Sequence, residues 1–320
     1  MSNNIPKVSV LVPVYGVEKY IAKCARSLFS QTWQNMEYVF VDDCSPDRSI
    51  EVLRQVIAEY PHRESQVHIV RQPQNGGVGY ARRRALEECT GEYLVFVDSD
   101  DDIPHDSIEK LVNAVIATGA DIVDGAYREF TDYGVAGGNA VLPSHLAKER
   151  YLKRMLLQNI VKNNLWARIY RRTIYTDHDI TFMEGVDYGE DFSIMPRLML
   201  NAKRAFIDDV VYFYRIDNTA SYTHRRTPKQ NQSLIMANAI VFRHFIGNDM
   251  DRRYFSHLNM GMVNIYRYAR QNGLPQADVD NALGQPLSGF VPRLCRWLFG
   301  SSVPFGVSDI IYRILRRLYI

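Results

Sequence analysis

The run Val8 to Tyr15, Val-Ser-Val-Leu-Val-Pro-Val-Tyr, is apolar at nearly every position and repeats valine at every second one. A strand with one wet face would alternate apolar and polar residues. This one is therefore expected to be buried on both faces, as in a parallel sheet covered by helices. Further strand-like runs follow at Tyr38 to Val41, Val67 to Val70 and Glu92 to Val97, with a short one at Asp121 to Asp124. Between them lie stretches with helical spacing. Val17 to Gln31 carries Tyr20, Ile21, Cys24 and Leu28, and a second helix starts at Ser45-Pro46-Asp47 with Ile50, Leu53 and Ile57 on one face. Gly77 to Cys89 and Asp106 to Thr118 complete the alternation. The fold class this implies is α/β, with a mostly parallel sheet flanked by helices.

Right-handed crossovers bring the carboxyl ends of parallel strands to one edge, and ligands of open sheets sit there. Tyr15, Asp42, Asp43, Asp98 and Asp100 all stand at or just beyond predicted strand ends. Topology alone should thus gather one aromatic ring and several carboxylates in one crevice. The middle of the chain is less regular. A loop containing Gly134, Gly137 and Gly138 precedes helical spacing from Leu146 to Leu157, and a second acidic cluster spans Glu184 to Phe192. From about Pro228 onward the sequence reads as helices.

Bulk properties exclude several classes. With 320 residues, 46% hydrophobic and 23% charged, the chain is neither disordered nor too small for a large core. A net charge of +2 gives no electrostatic reason to bind nucleic acid. The four cysteines have no zinc-ligand or redox spacing and read as small fillers in a reducing compartment. No signal-peptide pattern opens the sequence and no run of about 18 apolar residues occurs, so a cytoplasmic location is expected. The last thirty residues hold five arginines and one acid among many aliphatic and aromatic residues. Two readings stay open for them: a peripheral contact with the inner face of the cell membrane, or a helix packed on the core with solvated arginines.

Asp98-Ser99-Asp100-Asp101-Asp102 is the strongest chemical signal. Four carboxylates in five residues repel unless something positive sits among them, and a hard divalent cation suits such oxygen donors. A solvated loop capping the next helix is the plainer alternative. Asp42 and Asp43 can accept from a base N–H or a ribose hydroxyl, or else cap the second helix. Asn75-Gly76-Gly77-Val78-Gly79-Tyr80-Ala81-Arg82 opens a helix with small residues that permit close approach of a ligand. It does not follow the first strand and lacks the third glycine of a dinucleotide loop. Glu190-Asp191 offers a general base or simply a first-turn acid.

Together these segments resemble family 2 of the inverting glycosyltransferases, with the GT-A fold, over about residues 7 to 225. Val8 to Tyr15 is similar to that family's opening strand, Ser30-Gln31-Thr32 to its first turn, and Val41 to Asp47 to its base-binding strand end. Asn75 to Arg82 resembles its donor-binding helix start, Asp98-Ser99-Asp100 its metal motif, and Gly189-Glu190-Asp191 its catalytic acid motif. Trp166 to Tyr170 and Tyr212 to Arg215 resemble segments of bacterial polysaccharide-building members. The resemblance implies a catalytic domain over 1–225, with a nucleotide-sugar half at 1–105 and an acceptor half at 106–225, followed by a helical region at 226–320. It implies donor contacts from Pro13, Tyr15, Asp43, Asn75, Gly77, Arg82, Asp98 and Ser99. Mn2+ or Mg2+ would be held by Asp100 with Asp101, and Asp191 would be the base. The partners implied are a nucleotide-diphosphate sugar, with UDP as nucleotide, and a saccharide or lipid-linked oligosaccharide acceptor. His224, with Tyr222 beside it, is a further candidate for the diphosphate. Gly16, Cys44 and Arg83-Arg84 depart from the family's usual asparagine, glycine and asparagine. A nucleotidyltransferase would need a glycine-rich basic loop after the first strand, and a haloacid-type phosphatase its acid pair there; neither is present. A non-catalytic scaffold on the same fold is the remaining rival.

Overall fold

A computed structural model describes residues 5–136, 139–158, 161–218, 227–247 and 252–319. In chain order the elements are β1 (Val8–Val14), α1 (Ile21–Phe29), β2 (Met36–Asp42), α2 (Ser49–Glu59), β3 (Val67–Arg71), α3 (Val78–Glu88), β4 (Tyr93–Phe96) and α4 (Ser107–Thr118). There follow β5 (Ile122–Thr131), β6 (Gly134–Val135), α5 (Lys148–Leu156), β7 (Arg168–Arg171), α6 (Thr173–Thr176), α7 (Glu190–Asn201) and β8 (Arg204–Arg215). The chain ends in α8 (Pro228–Gly247), α9 (Phe255–Gln271), α10 (Gln276–Leu283), α11 (Phe290–Gly300) and α12 (Phe305–Arg316). It divides into two compact units. The first comprises Met1–His145, Asn164–Asp187 and Asn201–Arg225; the second comprises Leu146–Asn163, Tyr188–Leu200 and Arg226–Ile320. Two segments inside the stretch read as one domain from sequence, 146–163 and 188–200, thus group with the C-terminal helices.

The first unit is built on a sheet ordered β3-β2-β1-β4-β7-β5-β6, with β8 paired to β5. Its first four strands are parallel, as their apolar patterns require: every residue of β1 and β2 is buried. The order 3-2-1-4 means the chain moves outward through α1 and α2 and then returns across β1 through α3. Right-handed crossovers therefore put α3 on the opposite face from α1 and α2. β1, flanked by β2 and β4, is the point where the order reverses, and a crevice opens beyond its carboxyl end. Beyond β4 the sheet is mixed: β7 runs antiparallel to both β4 and β5, and β8 runs parallel to β5.

β5 corrects one expectation. The sequence suggests a short strand at Asp121 to Asp124, but β5 runs ten residues because β8 pairs along it through a register shift near Asp124 and Ala126. α2 starts at Ser49 rather than at Ser45. Asp47 supplies its cap, accepting from the Ser49 N–H (3.1 Å) and hydroxyl (2.5 Å), while its other oxygen accepts from the Glu18 N–H (2.9 Å). Burial opposes the charge on Asp47, but these hydrogen bonds prevail and lower its pKa.

The second unit is helical. α7 carries Gly189 just before its start, at φ +84°, where an added Cβ would lie 3.1 Å from Leu234 and 3.3 Å from Ala237. Tyr188 N–H donates to Ser233 Oγ (2.8 Å), so the start of α7 is pinned to α8. Gly261 of α9 lies against the Leu156 carbonyl of α5, where a Cβ would stand 1.9 Å from the oxygen. α11 and α12 bury Cys295, Leu298, Phe299 and Tyr312. One side of the C-terminal segment is thus packed within its own unit, and its other side is exposed. No helix among the described residues is long and apolar enough to cross a membrane.

Candidate active site

Three parallel strands end side by side in the first unit. Val14 of β1 pairs with Asp42 of β2, and the Asp43 N–H reaches on to the Val14 carbonyl (3.0 Å). On the other flank, the Val97 N–H donates to the Leu11 carbonyl (3.1 Å), which carries β4 into Asp98. Tyr15, Asp43, Asp98 and Asp100 therefore leave the sheet at one edge, as the alternation of strands and helices implies. Pro13 is buried within β1, opposite Val41.

Tyr15 is 52% exposed although it follows seven buried residues. Gly16 then takes φ +67° with open space around it. Asparagine is the side chain that best tolerates that conformation, so the glycine preserves the turn. Cys44 departs in the other direction: it holds φ +60° where glycine would be unstrained, and its thiol faces the Gln72 carbonyl (3.2 Å).

Asp43 is buried and divides its carboxylate between two backbone donors, Gly76 N–H and Gly77 N–H, each at 2.8 Å. Asn75 closes the loop from its side chain onto the Asp43 carbonyl (3.2 Å). Burial raises the Asp43 pKa despite those bonds, and the charges of Asp187 and Asp42 add to it. The glycines here are steric necessities. Gly77 sits at φ +88°, and a Cβ on it would stand 2.2 Å from an Asp187 oxygen; one on Gly79 would stand 2.3 Å from the Val186 carbonyl. The segment Val186–Asp187 is packed onto the start of α3. Asp187 falls within the acidic cluster Glu184 to Phe192, where the sequence pattern assigns it no role. The only hint was its acid type, since its packing on Gly77 arises from a contact 110 residues distant.

The acid loop after β4 is held by β8. The Asp98 N–H donates to the Tyr212 hydroxyl (3.1 Å), and that hydroxyl donates to Asp101 Oδ2 (2.7 Å). Asp101 Oδ1 accepts from the Arg215 N–H (2.7 Å). Asp101, expected beside Asp100 on a cation, is instead 1% exposed with both oxygens turned to β8. Burial first, then the charges of Asp100 and Asp98, push its pKa well up. Asp100 keeps a half-buried carboxylate that accepts from Asn218 Nδ2 (2.7 Å), and its carbonyl accepts from Arg215 Nε (3.0 Å). Burial and the Asp98 charge raise its pKa too. The Arg215 guanidinium lies 4.5 Å from the Phe130 ring and 4.7 Å from that of Tyr20, and bonds Asp132 and Asp217. Arg215, Tyr212 and Asn218 thus fix the loop, roles the sequence pattern did not reveal. Asp102 pairs with Lys23 (2.5 Å) on the loop's far side, and Ser99 is buried.

Arg82, expected on donor phosphate or base, is ion-paired with Asp98 (2.7 Å), its side chain only 4% exposed. It neutralises one of the loop's carboxylates from α3. Trp166 stacks on Tyr212 and Tyr214 with ring centroids 4.8 and 5.0 Å away, so the two aromatic segments singled out in the sequence meet behind the loop.

Asp100 offers a hard divalent ion carboxylate oxygens; burial first, and then the Asp98 charge, disfavours its ionised form, which a bound cation would offset. Among the described residues no group of three or more metal-binding side chains is assembled.

Asp191 belongs to the second unit, half-buried in the first turn of α7. His224 and Tyr222 lie outside the described residues.

Residues 9–178, more than half of the chain, match the family described as Glycosyl transferase family 2. The chain belongs to that family. The uncharacterized glycosyltransferase YibD of Escherichia coli K12 is 29% identical over 237 residues, 72% of this chain and 67% of YibD. The poly(ribitol-phosphate) beta-N-acetylglucosaminyltransferase TarS of Staphylococcus aureus MW2 is 31% identical over 212 residues, 65% of this chain but 35% of TarS. The match to EpsJ of Bacillus subtilis covers 63% of that glycosyltransferase. Among solved structures, S. aureus TarS 1-349 in complex with UDP-GlcNAc superposes with a TM-score of 0.71 at 22% identity, over 98% of this chain and 91% of that one. The mannosyltransferase PcManGT from Pyrobaculum calidifontis, in complex with GDP-Man and Mn2+, gives 0.57 at 16% identity, covering 98% and 86%. These likenesses establish the GT-A fold expected for a family 2 glycosyltransferase.

Proposed function

We propose that this family 2 member is an inverting, metal-dependent transferase that moves a sugar from a UDP-sugar to a hydroxyl of a saccharide or lipid-linked oligosaccharide in surface polysaccharide synthesis. The observation that carries the reading is the convergence of Tyr15, Asp43 and the Asp98 to Asp100 loop at the β1, β2 and β4 ends. TarS, a relative, binds UDP-GlcNAc, which favours uridine as the nucleotide.

In this reading the exposed Tyr15 ring stacks on uracil. Asp43 spends one lone pair of each oxygen on Gly76 and Gly77, and a remaining lone pair accepts the uracil N3–H. Pro13, Asn75 and Gly77 shape the base pocket. Asp98, anchored by Arg82, accepts from the ribose, with Ser99 beside it. Asp100, oriented by Asn218, would hold Mn2+ or Mg2+, which would supply charge stabilisation to the leaving diphosphate. Asp101 keeps the loop in register through Tyr212 and Arg215.

Asp191 takes the proton of the acceptor hydroxyl as its oxygen attacks the anomeric carbon on the side opposite the diphosphate. One C–O bond forms, the bond to the diphosphate breaks, and the anomeric centre inverts. Asp191 follows Asp187 by four residues along the chain, and Asp187 stands on the Gly77 loop. The four unpaired cysteines suit a reducing compartment, and we place the activity in the cytoplasm.

The test is a panel of nucleotide sugars incubated with the full chain and Mn2+ or Mg2+, read as release of free UDP. Metal-dependent release from one UDP-sugar supports the reading. Nucleotide binding with no release or transfer from any sugar, with or without acceptor, would make the chain a scaffold on the same fold.

A further inference from the structure

α12 is apolar on two sides. Ser308 and Tyr312 face inward and are buried, while Val307, Ile310 and Ile314 are 48%, 60% and 58% exposed, at spacings of three and four residues. Leu318, four residues further on, continues the stripe at 74%. The preceding helix α11 buries Pro292, Cys295, Leu298 and Phe299 but leaves Phe290 and Trp297 at 76% and 59%. Six of the seventeen exposed large apolar residues among the described ones thus fall between Phe290 and Leu318, so the exposure is concentrated rather than scattered. α12 is amphipathic, and its aliphatic stripe lies on the exposed side instead of the buried one, so it offers a contiguous apolar face to a partner surface.

The charge around this stripe selects what covers it. Between Gly284 and Ile320 the sequence holds five arginines and one acid, Asp309. Asp309 is 9% exposed and occupied by Arg267 and Arg313. Arg293, Arg313 and Arg317 are exposed, and no acid in this segment is exposed with them. A second copy placed isologously on the stripe would oppose arginine to arginine. An anionic bilayer surface accepts the aliphatic stripe and the Trp297 ring at its interface and the guanidinium groups at its phosphates.

We infer that α11 and α12 form an interfacial membrane-binding surface, specific for anionic lipid, with Ile310, Ile314, Leu318 and Trp297 as its apolar anchors. This surface lies on the bilayer, and no helix among the described residues is long and apolar enough to span it. This surface is distinct from the nucleotide site and stands whether or not the proposed transfer reaction does.

The experiment is co-flotation of the full chain with vesicles of phosphatidylcholine alone and of an equal mixture with phosphatidylglycerol. Partition into the mixed vesicles should exceed that into the neutral ones by about tenfold or more, and should fall with added salt. Ile310→Ser with Ile314→Ser should lower partition about tenfold or more, since two exposed aliphatic anchors are lost. Arg313→Gln with Arg317→Gln should remove the preference for phosphatidylglycerol. Both pairs change exposed residues, and circular dichroism should show both variants folded, with Asp309 keeping Arg267 where Arg313 is replaced. Tryptophan emission should shift blue on mixed vesicles in the native chain and not in Trp297→Phe. Absence of flotation by the folded chain would overturn the inference, as would flotation indifferent to all these substitutions. A dimer in vesicle-free solution that the isoleucine substitutions dissociate would assign the stripe to a second copy instead.

Discussion

Gly77→Ala separates a steric claim from a conformational one. Gly77 has φ +88° and ψ 171°, a region essentially reserved for glycine, so alanine there costs about 1–3 kcal/mol in backbone strain. A second cost arises because the new methyl would stand 2.2 Å from Asp187 Oδ1 and 2.3 Å from its Cγ. The buried Asp187 carboxylate must leave its seat, which adds about 1–3 kcal/mol for a displaced polar group. Gly119→Ala is the control. It has φ +61° and ψ 26°, with only the flexible Lys203 Nζ near, at 3.6 Å, so it carries the left-handed penalty of about 1–2 kcal/mol alone. Urea denaturation should give a loss of about 3–5 kcal/mol for Gly77→Ala, clearly beyond the control. Because Gly77 N–H also holds Asp43, UDP affinity should fall about tenfold or more in the folded variant and stay unchanged in Gly119→Ala. Equal destabilisation of the two variants, or unaltered UDP affinity in Gly77→Ala, would refute the account of this loop.

Asp191→Asn should abolish sugar transfer while UDP and Mn2+ titrations remain native; full turnover in that variant removes Asp191 as the base. Arg215→Met should lower stability by about 2–4 kcal/mol, because a buried guanidinium that bonds the Asp100 carbonyl and two carboxylates is lost. It should also weaken Mn2+ binding, and a native metal affinity would show that Arg215 does not position the acid loop. Glu37, buried at the start of β2, accepts from Lys7, Ser9 and twice from Thr90. Burial opposes its charge, but these bonds prevail and bring its pKa from 4.5 down to about 2. A depressed carboxyl stabilises the fold above its unfolded pKa, so this contribution, about 2–3 kcal/mol, is full above pH about 4.5 and is lost as pH falls toward 2. Glu37→Gln should cost that amount at neutral pH, with variant and native stabilities converging in acid; a constant gap across that window contradicts the assignment.

What the sequence made legible follows from locality. β1, β2 and β4 announce themselves by continuous apolar runs, and the parallel arrangement fixes where their ends go, so Tyr15, Asp43 and Asp98 were placed by topology. Within the acid loop, residue types alone do not say which carboxylate points outward. Asp100 and Asp101 are distinguished by partners more than a hundred residues later: β8 supplies the Tyr212 hydroxyl and the Arg215 N–H to Asp101, and Asn218 beyond it bonds Asp100. The pairing of Arg82 with Asp98 is hidden for the same reason: a basic side chain at a helix start suggests phosphate, while the ion pair depends on the crossover of α3. The contact of Asp187 with Gly77 and the grouping of 146–163 with the C-terminal helices are likewise long-range and leave no periodic trace.

The central claim is that the β1, β2 and β4 ends grip a uridine diphosphate through a divalent ion on Asp100. Calorimetric titration of UDP into the full chain, with Mn2+ and with chelator, and into Asp100→Ala, tests it directly. The account predicts binding with Mn2+, at least about tenfold weaker binding with chelator, and no response to Mn2+ in the variant. UDP affinity that ignores both the ion and the substitution, or no UDP binding at all, would contradict it.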